Sequence, residues 1–196
     1  AAVTHLLNAG KAEDAEEFLA TVKYPSPLAY NQIARVYMAA DSTIGDAEDM
    51  IKKAVELARA PNIDVKPPFL AEFEWKRQTD VVLGSILDTY GLIHQKTGQN
   101  ASAITAHTES LHLLGKQALA EHYEHLVAAL IDAGQLKNAY SFTSTAIAAS
   151  QTNEYIMTEH KKLFDEVMKS TGETYEEALA KLQKRAEFAR LERISV

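Results

Sequence analysis

Residues 83–111, LGSILDTYGLIHQKTGQNASAITAHTESL, decide the fold. Leu83, Ile86, Leu87, Tyr90, Ile93 and His94 recur at three- and four-residue steps, the period of one helix face. Gly91 lies on that face, where an isolated glycine costs about 1 kcal/mol relative to alanine. Close approach of a partner helix is the simplest reason for it. Gly98 supplies a stop, because glycine tolerates the left-handed conformation that ends helices. Asn100 or Ser102 is placed to cap a second helix, whose stripe is Ala103, Ile104, His107 and Leu111. The stretch reads as two antiparallel helices joined at Gly98, with small residues at Gly91 and Ala103 letting the backbones close up.

The rhythm recurs. Gly134 is followed after five residues by Ala139, as Gly98 is by Ala103 and Gly10 by Ala15. Gly45, followed by Met50, Ile51, Ala54 and Leu57, is expected to be a fourth instance. In chain order, helices are expected at 3–7, 15–22, 27–41 (Ser26 capping, Pro27 in the first turn) and 46–60. The segment PNIDVKPP at 61–68 forbids a continuous helix. A long helix then runs over 69–96, followed by the second helix at Gly98, the pair around Gly134, a helix over 153–170, and a last one capped by Thr174.

Composition bounds the function. The 196 residues suit one domain or one repeat array, and 46% hydrophobic content is ample for a core. A net charge of −7 argues against a nucleic-acid role, which needs a basic surface to meet phosphates, and against anionic lipid. No apolar run approaches the roughly 20 residues of a membrane span. With no cysteine, disulfides, thiol catalysis and cysteine zinc sites are excluded within this chain. The chain begins Ala-Ala-Val and shows no signal-peptide pattern, so an extension at either end is expected.

Catalytic signals are weak. Seven histidines are the obvious candidates, with His122 and His125 on one helix and His107 and His112 on the preceding one. None of the familiar metal spacings appears. His94 and His107 are expected to replace aromatics between paired helices, with His122 and His125 at the surface or at packed edges. Adjacent or near carboxylates (Glu16-Glu17, Glu48-Asp49, Glu121 with Glu124, Glu176-Glu177) mostly sit near helix starts, where acidic groups meet the helix dipole. No GxSxG or phosphate-binding glycine loop is present. The aromatics Phe69, Phe73 and Trp75 are expected to pack the insertion onto the array; anchoring a partner is the other reading.

The pattern Tyr90-Gly91, His94, Gly98, Ala103-Ile104, His107, Leu111 resembles the tetratricopeptide repeat, a helix–turn–helix unit of about 34 residues. Histidine stands in two slots where that family has aromatics. The resemblance implies an all-α superhelix of antiparallel helix pairs over 1–196, with units about 1–23, 27–60, 69–115, 118–150 and 153–196 and an insertion at 61–80. It also implies a groove for a protein or peptide partner, lined off the packed stripe by Asp88, Leu92, Gln95, Glu121, Glu124 and Ala128. Three stretches, YPSPLAYNQIA, KKAVELARAPNIDVKPPF and VVLGSILDTYGLI, are similar to the helical region preceding the thioredoxin-like domain of certain bacterial envelope disulfide reductases. That likeness implies a longer parent chain, a thioredoxin-like domain as possible partner, and a periplasmic or envelope setting, with the cytoplasm as the alternative. The expectation is a non-catalytic interaction or scaffolding module without cofactor or metal. The rivals are a regulatory or substrate-presenting region of such a reductase and a histidine-dependent enzyme or metal protein.

Overall fold

The computed structural model describes residues 2–40, 43–168 and 172–194. Among them are ten α-helices and no strand: α1 (Ala2–Asn8), α2 (Ala12–Ala20), α3 (Pro27–Met38), α4 (Ile44–Arg59), α5 (Glu72–Lys96), α6 (Asn100–Leu114), α7 (Ala120–Asp132), α8 (Leu136–Ala148), α9 (Glu154–Val167) and α10 (Tyr175–Ile194). The chain divides into two compact units, Ala1–Gly115 and Lys116–Val196. In the first, α1 packs on α2 and α3, α3 on α4, and α5 on α3, α4 and α6. In the second, α8 is central and meets α7, α9 and α10.

The links between paired helices are built alike. Gly10, Gly98 and Gly134 all have φ near +70° (+74°, +73° and +69°). At each, the glycine N–H donates three residues back, and the next N–H reaches five residues back. The bonds are Gly98 to Gln95 and Gln99 to His94, then Gly134 to Ile131 and Gln135 to Leu130, then Gly10 to Leu7 and Lys11 to Leu6, all at 2.8–3.0 Å. These pairs of bonds satisfy carbonyls left orphaned at a helix end. Five residues after each glycine, Ala15, Ala103 and Ala139 are fully buried. The alanines sit where a longer side chain would push the next helix away.

A fourth turn of the same kind follows α8, and it has no glycine. Ser150 takes φ +59°, donating to Ile147 while Gln151 donates to Ala146. Gly45, by contrast, is not a turn residue. It lies in the first turn of α4 without positive φ, so the expected fourth glycine stop is displaced to the α3–α4 link, part of which lies outside the described residues. The buried face of α4 is nonetheless Met50, Ile51 and Ala54, on the spacing read from sequence.

Caps explain the boundaries. Pro27 opens α3 behind Ser26 in extended conformation. Asn153 accepts from the Ile156 N–H at 2.9 Å. Thr174 and Glu177 cap reciprocally, each side chain taking the other's backbone N–H, at 3.2 and 3.0 Å. Neither Asn100 nor Ser102 caps α6; both lie inside it, and Gln99 holds the cap position without a side-chain bond. The expected helix end at 170 falls outside the described residues, since α9 is described to Val167. α5 begins at Glu72 rather than Phe69, its Ala71 N–H met by the Glu74 carboxylate at 3.3 Å.

A left-handed conformation costs an L-residue about 1–2 kcal/mol, and glycine avoids most of that. Ser150→Gly should therefore raise stability by about 0.5–1 kcal/mol after glycine's own entropy cost. Urea unfolding followed by circular dichroism measures it, and an unchanged or lowered midpoint would count against the shared turn geometry.

Candidate functional site

The α5–α6 pair closes on two glycines. A Cβ placed on Gly84 would lie 3.0 Å from Leu114 Cγ and 3.2 Å from the Ser110 carbonyl oxygen. One placed on Gly91 would lie 2.5 Å from the His107 ring, inside any permissible contact. The imidazole of His107, fully buried, therefore rests on the bare backbone of α5. Its polar atoms are met from the same helix: Nδ1 lies 3.0 Å from Asp88 Oδ1, and Nε2 lies 3.1 Å from Gln95 Oε1. Asp88, Gly91 and Gln95 share one face of α5 at helical spacing. His94, also buried, packs against Tyr90 with ring centroids 4.2 Å apart and planes tilted by 43°, and burial lowers its pKa.

These contacts relocate two of the residues expected along a groove. Asp88 and Gln95 turn onto His107, because they lie on the same stripe as Gly91. Leu92 is half-buried on α5. In the second unit, Glu121 is exposed in the first turn of α7, Ala128 is half-buried, and Glu124 accepts from Asn153 Nδ2 at 2.6 Å. His122 caps the start of α7 by accepting the Leu119 N–H at 3.0 Å, and His125 is half-buried on the same helix.

His160, absent from the residues singled out by sequence, is a fully buried polar group of the second unit. It lies between Tyr140, 5.0 Å away and stacked, and Tyr175, 5.6 Å away. Its Nε2 is 3.2 Å from Ser144 Oγ and its Nδ1 is 3.5 Å from the Tyr175 hydroxyl. Ser144 spends its proton on the Tyr140 carbonyl at 2.8 Å, so the network assigns Ser144 as acceptor from His160. That is the reverse of the direction in which a base activates a serine. Desolvation takes His160 down to about 4. Its i, i+4 and i+8 relation to Ile156 and Phe164 was the available signal.

An open cleft of the first unit lies beside the proline-rich insertion. It has a volume of about 630 Å³ and runs between residues 23–28, the end of α4 with Pro61 and Asn62, and the first half of α5. That volume is within the range of roughly 300–1,000 Å³ typical of ligand sites. Tyr24 and Trp75 supply its aromatic surface, and Lys23 is its only charged lining side chain. Asn62 shapes the far wall by accepting the Asp64 N–H at 2.9 Å, which starts the 3₁₀ turn Ile63–Val65. Phe69 and Phe73, expected to pack inward with Trp75, stand 86% and 73% exposed. Phe73 and Trp75 are two apart on α5 and so point to different faces.

No protein family, curated protein or solved structure matches this chain. No helix among the described residues is long and apolar enough to cross a membrane.

Two outcomes follow. Gly91→Ala should destabilise by about 1–2 kcal/mol, an overpacking cost set against alanine's better helix propensity. In a His107→Ala background the same change should instead stabilise, and a cycle without that sign reversal would contradict the ring-on-glycine packing. For His160, the unfolded chain binds a proton at its ordinary 6.5 while the folded chain does so only at about 4. Stability is therefore full above pH 6.5 and falls as pH drops toward 4, at about 1.4 kcal/mol per unit and about 3 kcal/mol in all. His160→Phe should flatten that part of the profile, read by urea titrations at several pH values.

Proposed function

We propose that the chain is a helical protein-interaction module that receives its partner on the insertion side of the first unit. The observation that carries this is the exposure of Phe69 and Phe73, joined by Ile63 at 62% and Val65 at 48%. Four large apolar side chains within residues 63–73 thus stand in water, and exposed aromatic anchors dominate interface energies. The buried polar groups around His107 and His160 are occupied by structural hydrogen bonds, which fits a binding role better than a catalytic one. We read the helix pairs as tetratricopeptide-like units. The recurring bonds at Gly10, Gly98 and Gly134, each followed by a buried alanine, support that reading. The resemblance to helical regions preceding thioredoxin-like domains supplies one partner class, such a domain on a longer parent chain.

Selection of a random displayed-peptide library on the full chain tests the proposal. The expected result is convergence on related sequences that bind the Phe69→Ser/Phe73→Ser variant at least about tenfold more weakly, with the circular dichroism spectrum unchanged. Absence of enrichment, or binders indifferent to both phenylalanines, would overturn it.

A further inference from the structure

We propose that the cleft beside the insertion binds a proline-rich, extended segment whose leading residue is acidic. This rests on the interaction-module reading and names its partner chemistry. The walls carry the argument. Pro25, Pro27 and Pro61 have no N–H, so this part of the surface presents carbonyls and apolar rings but few backbone donors. A partner that needs a hydrogen-bonded ladder finds neither those donors nor, among the described residues, a sheet edge. A helical partner anchors over at least two turns. The cleft's volume holds only about one and a half turns of a cylinder about 10 Å across.

A polyproline II segment has no internal hydrogen bonds and is pre-extended, so it needs flat apolar faces and side-chain donors to its carbonyls. The cleft provides both. Tyr24 and Trp75 offer rings for proline to lie against, and the indole N–H and the side-chain amides of Asn62 and Gln78 are donors. Charge sets the direction. Lys23 is the only charged lining residue; the Asp64 carboxylate, outside the lining, accepts from the Tyr24 hydroxyl at 3.4 Å. α3 starts at the same end, its positive dipole pole toward the cleft. α4 also ends against the cleft, with Ala58 and Ala60 in its lining, and brings a negative pole there. An acidic residue is favoured beside Lys23 and the start of α3.

Trp75 is the only tryptophan, so its emission reports occupancy directly. The probes are short, dye-free peptides of alternating proline and leucine led by glutamate, the same peptide led by lysine, and a glycine–serine control. The glutamate peptide should shift Trp75 emission saturably, and the lysine peptide should bind about tenfold more weakly. Lys23→Glu should invert that preference, a result misfolding cannot produce. Trp75→Phe, followed through a dye on the peptide, should bind several-fold more weakly. The proposal is overturned if no peptide binds up to millimolar concentration, if Lys23→Glu leaves the preference unchanged, or if an anionic aromatic dye occupies the cleft and proline peptides do not displace it. Displayed peptides that depend on Phe69 and Phe73 but ignore Lys23 and Trp75 would overturn this inference and leave the interaction reading standing. A library with no binders would overturn both.

Discussion

An imidazole set down on a glycine fixes the register of the long helix α5 against α6. One face of α5 carries, at successive turns, a carboxylate at Asp88, a gap at Gly91 and an amide at Gln95; α6 contributes the ring of His107 that fits all three. Sliding α6 by one turn would take the ring off the glycine and break its bonds to Asp88 and Gln95. A buried polar group that loses a partner costs about 1–3 kcal/mol, more than the bond itself contributes. Purely apolar faces would tolerate such slips more easily. Polar specification of this kind gives up some stability for uniqueness. The rest of the first unit is hung on the helix so located: α3 and α4 pack on α5, and Arg59 of α4 grips Glu109 of α6 through two bonds of 2.8 and 2.7 Å.

What was legible in the sequence is what glycine and apolar spacing encode. A left-handed turn needs glycine, so Gly10, Gly98 and Gly134 announce helix ends, and the alanine five residues on announces a tight contact. Two errors come from the same code. Gly45 looks identical to a stop because one letter cannot separate a glycine in a first helical turn from one beyond a last turn. Ser150 is invisible because serine adopts positive φ only when the surrounding bonds impose it. Apolar spacing also decides which positions count as off the packed stripe, so the resemblance puts Asp88 and Gln95 along a groove, while the structure shows both bonded to His107. His160 escaped for a related reason, as a single polar residue among Ile156, Leu163 and Phe164.

Phe69, Phe73 and Trp75 show the opposite failure. Hydrophobicity implies burial only on average, since apolar atoms make up much of any folded surface. Here geometry separates the three: Phe69 precedes α5, and Phe73 and Trp75 diverge by two helical positions. Only Trp75 reaches the cleft.

That divergence bears on where binding capacity resides. Several carboxylates on the helix faces are committed. Asp88 holds His107, Glu124 holds Asn153, Glu16 meets Lys53 at 3.2 Å and Glu109 meets Arg59. A partner docking there would have to replace contacts that already orient helices. The side-chain bonds of the insertion are mostly local, Asn62 to Asp64, Lys66 to Leu70 and Glu74 to Ala71, with Tyr24 to Asp64 reaching back, and its prolines restrict the chain as well. A wall stiffened by proline loses little conformational entropy when a ligand arrives, so more of the contact energy appears as affinity. The same rigidity holds Phe69, which follows Pro67 and Pro68, in water, whereas Phe73 is exposed by its position on the outer face of α5. The exposure of Phe69 and the shape of the cleft thus share one cause, the proline-fixed path between α4 and α5.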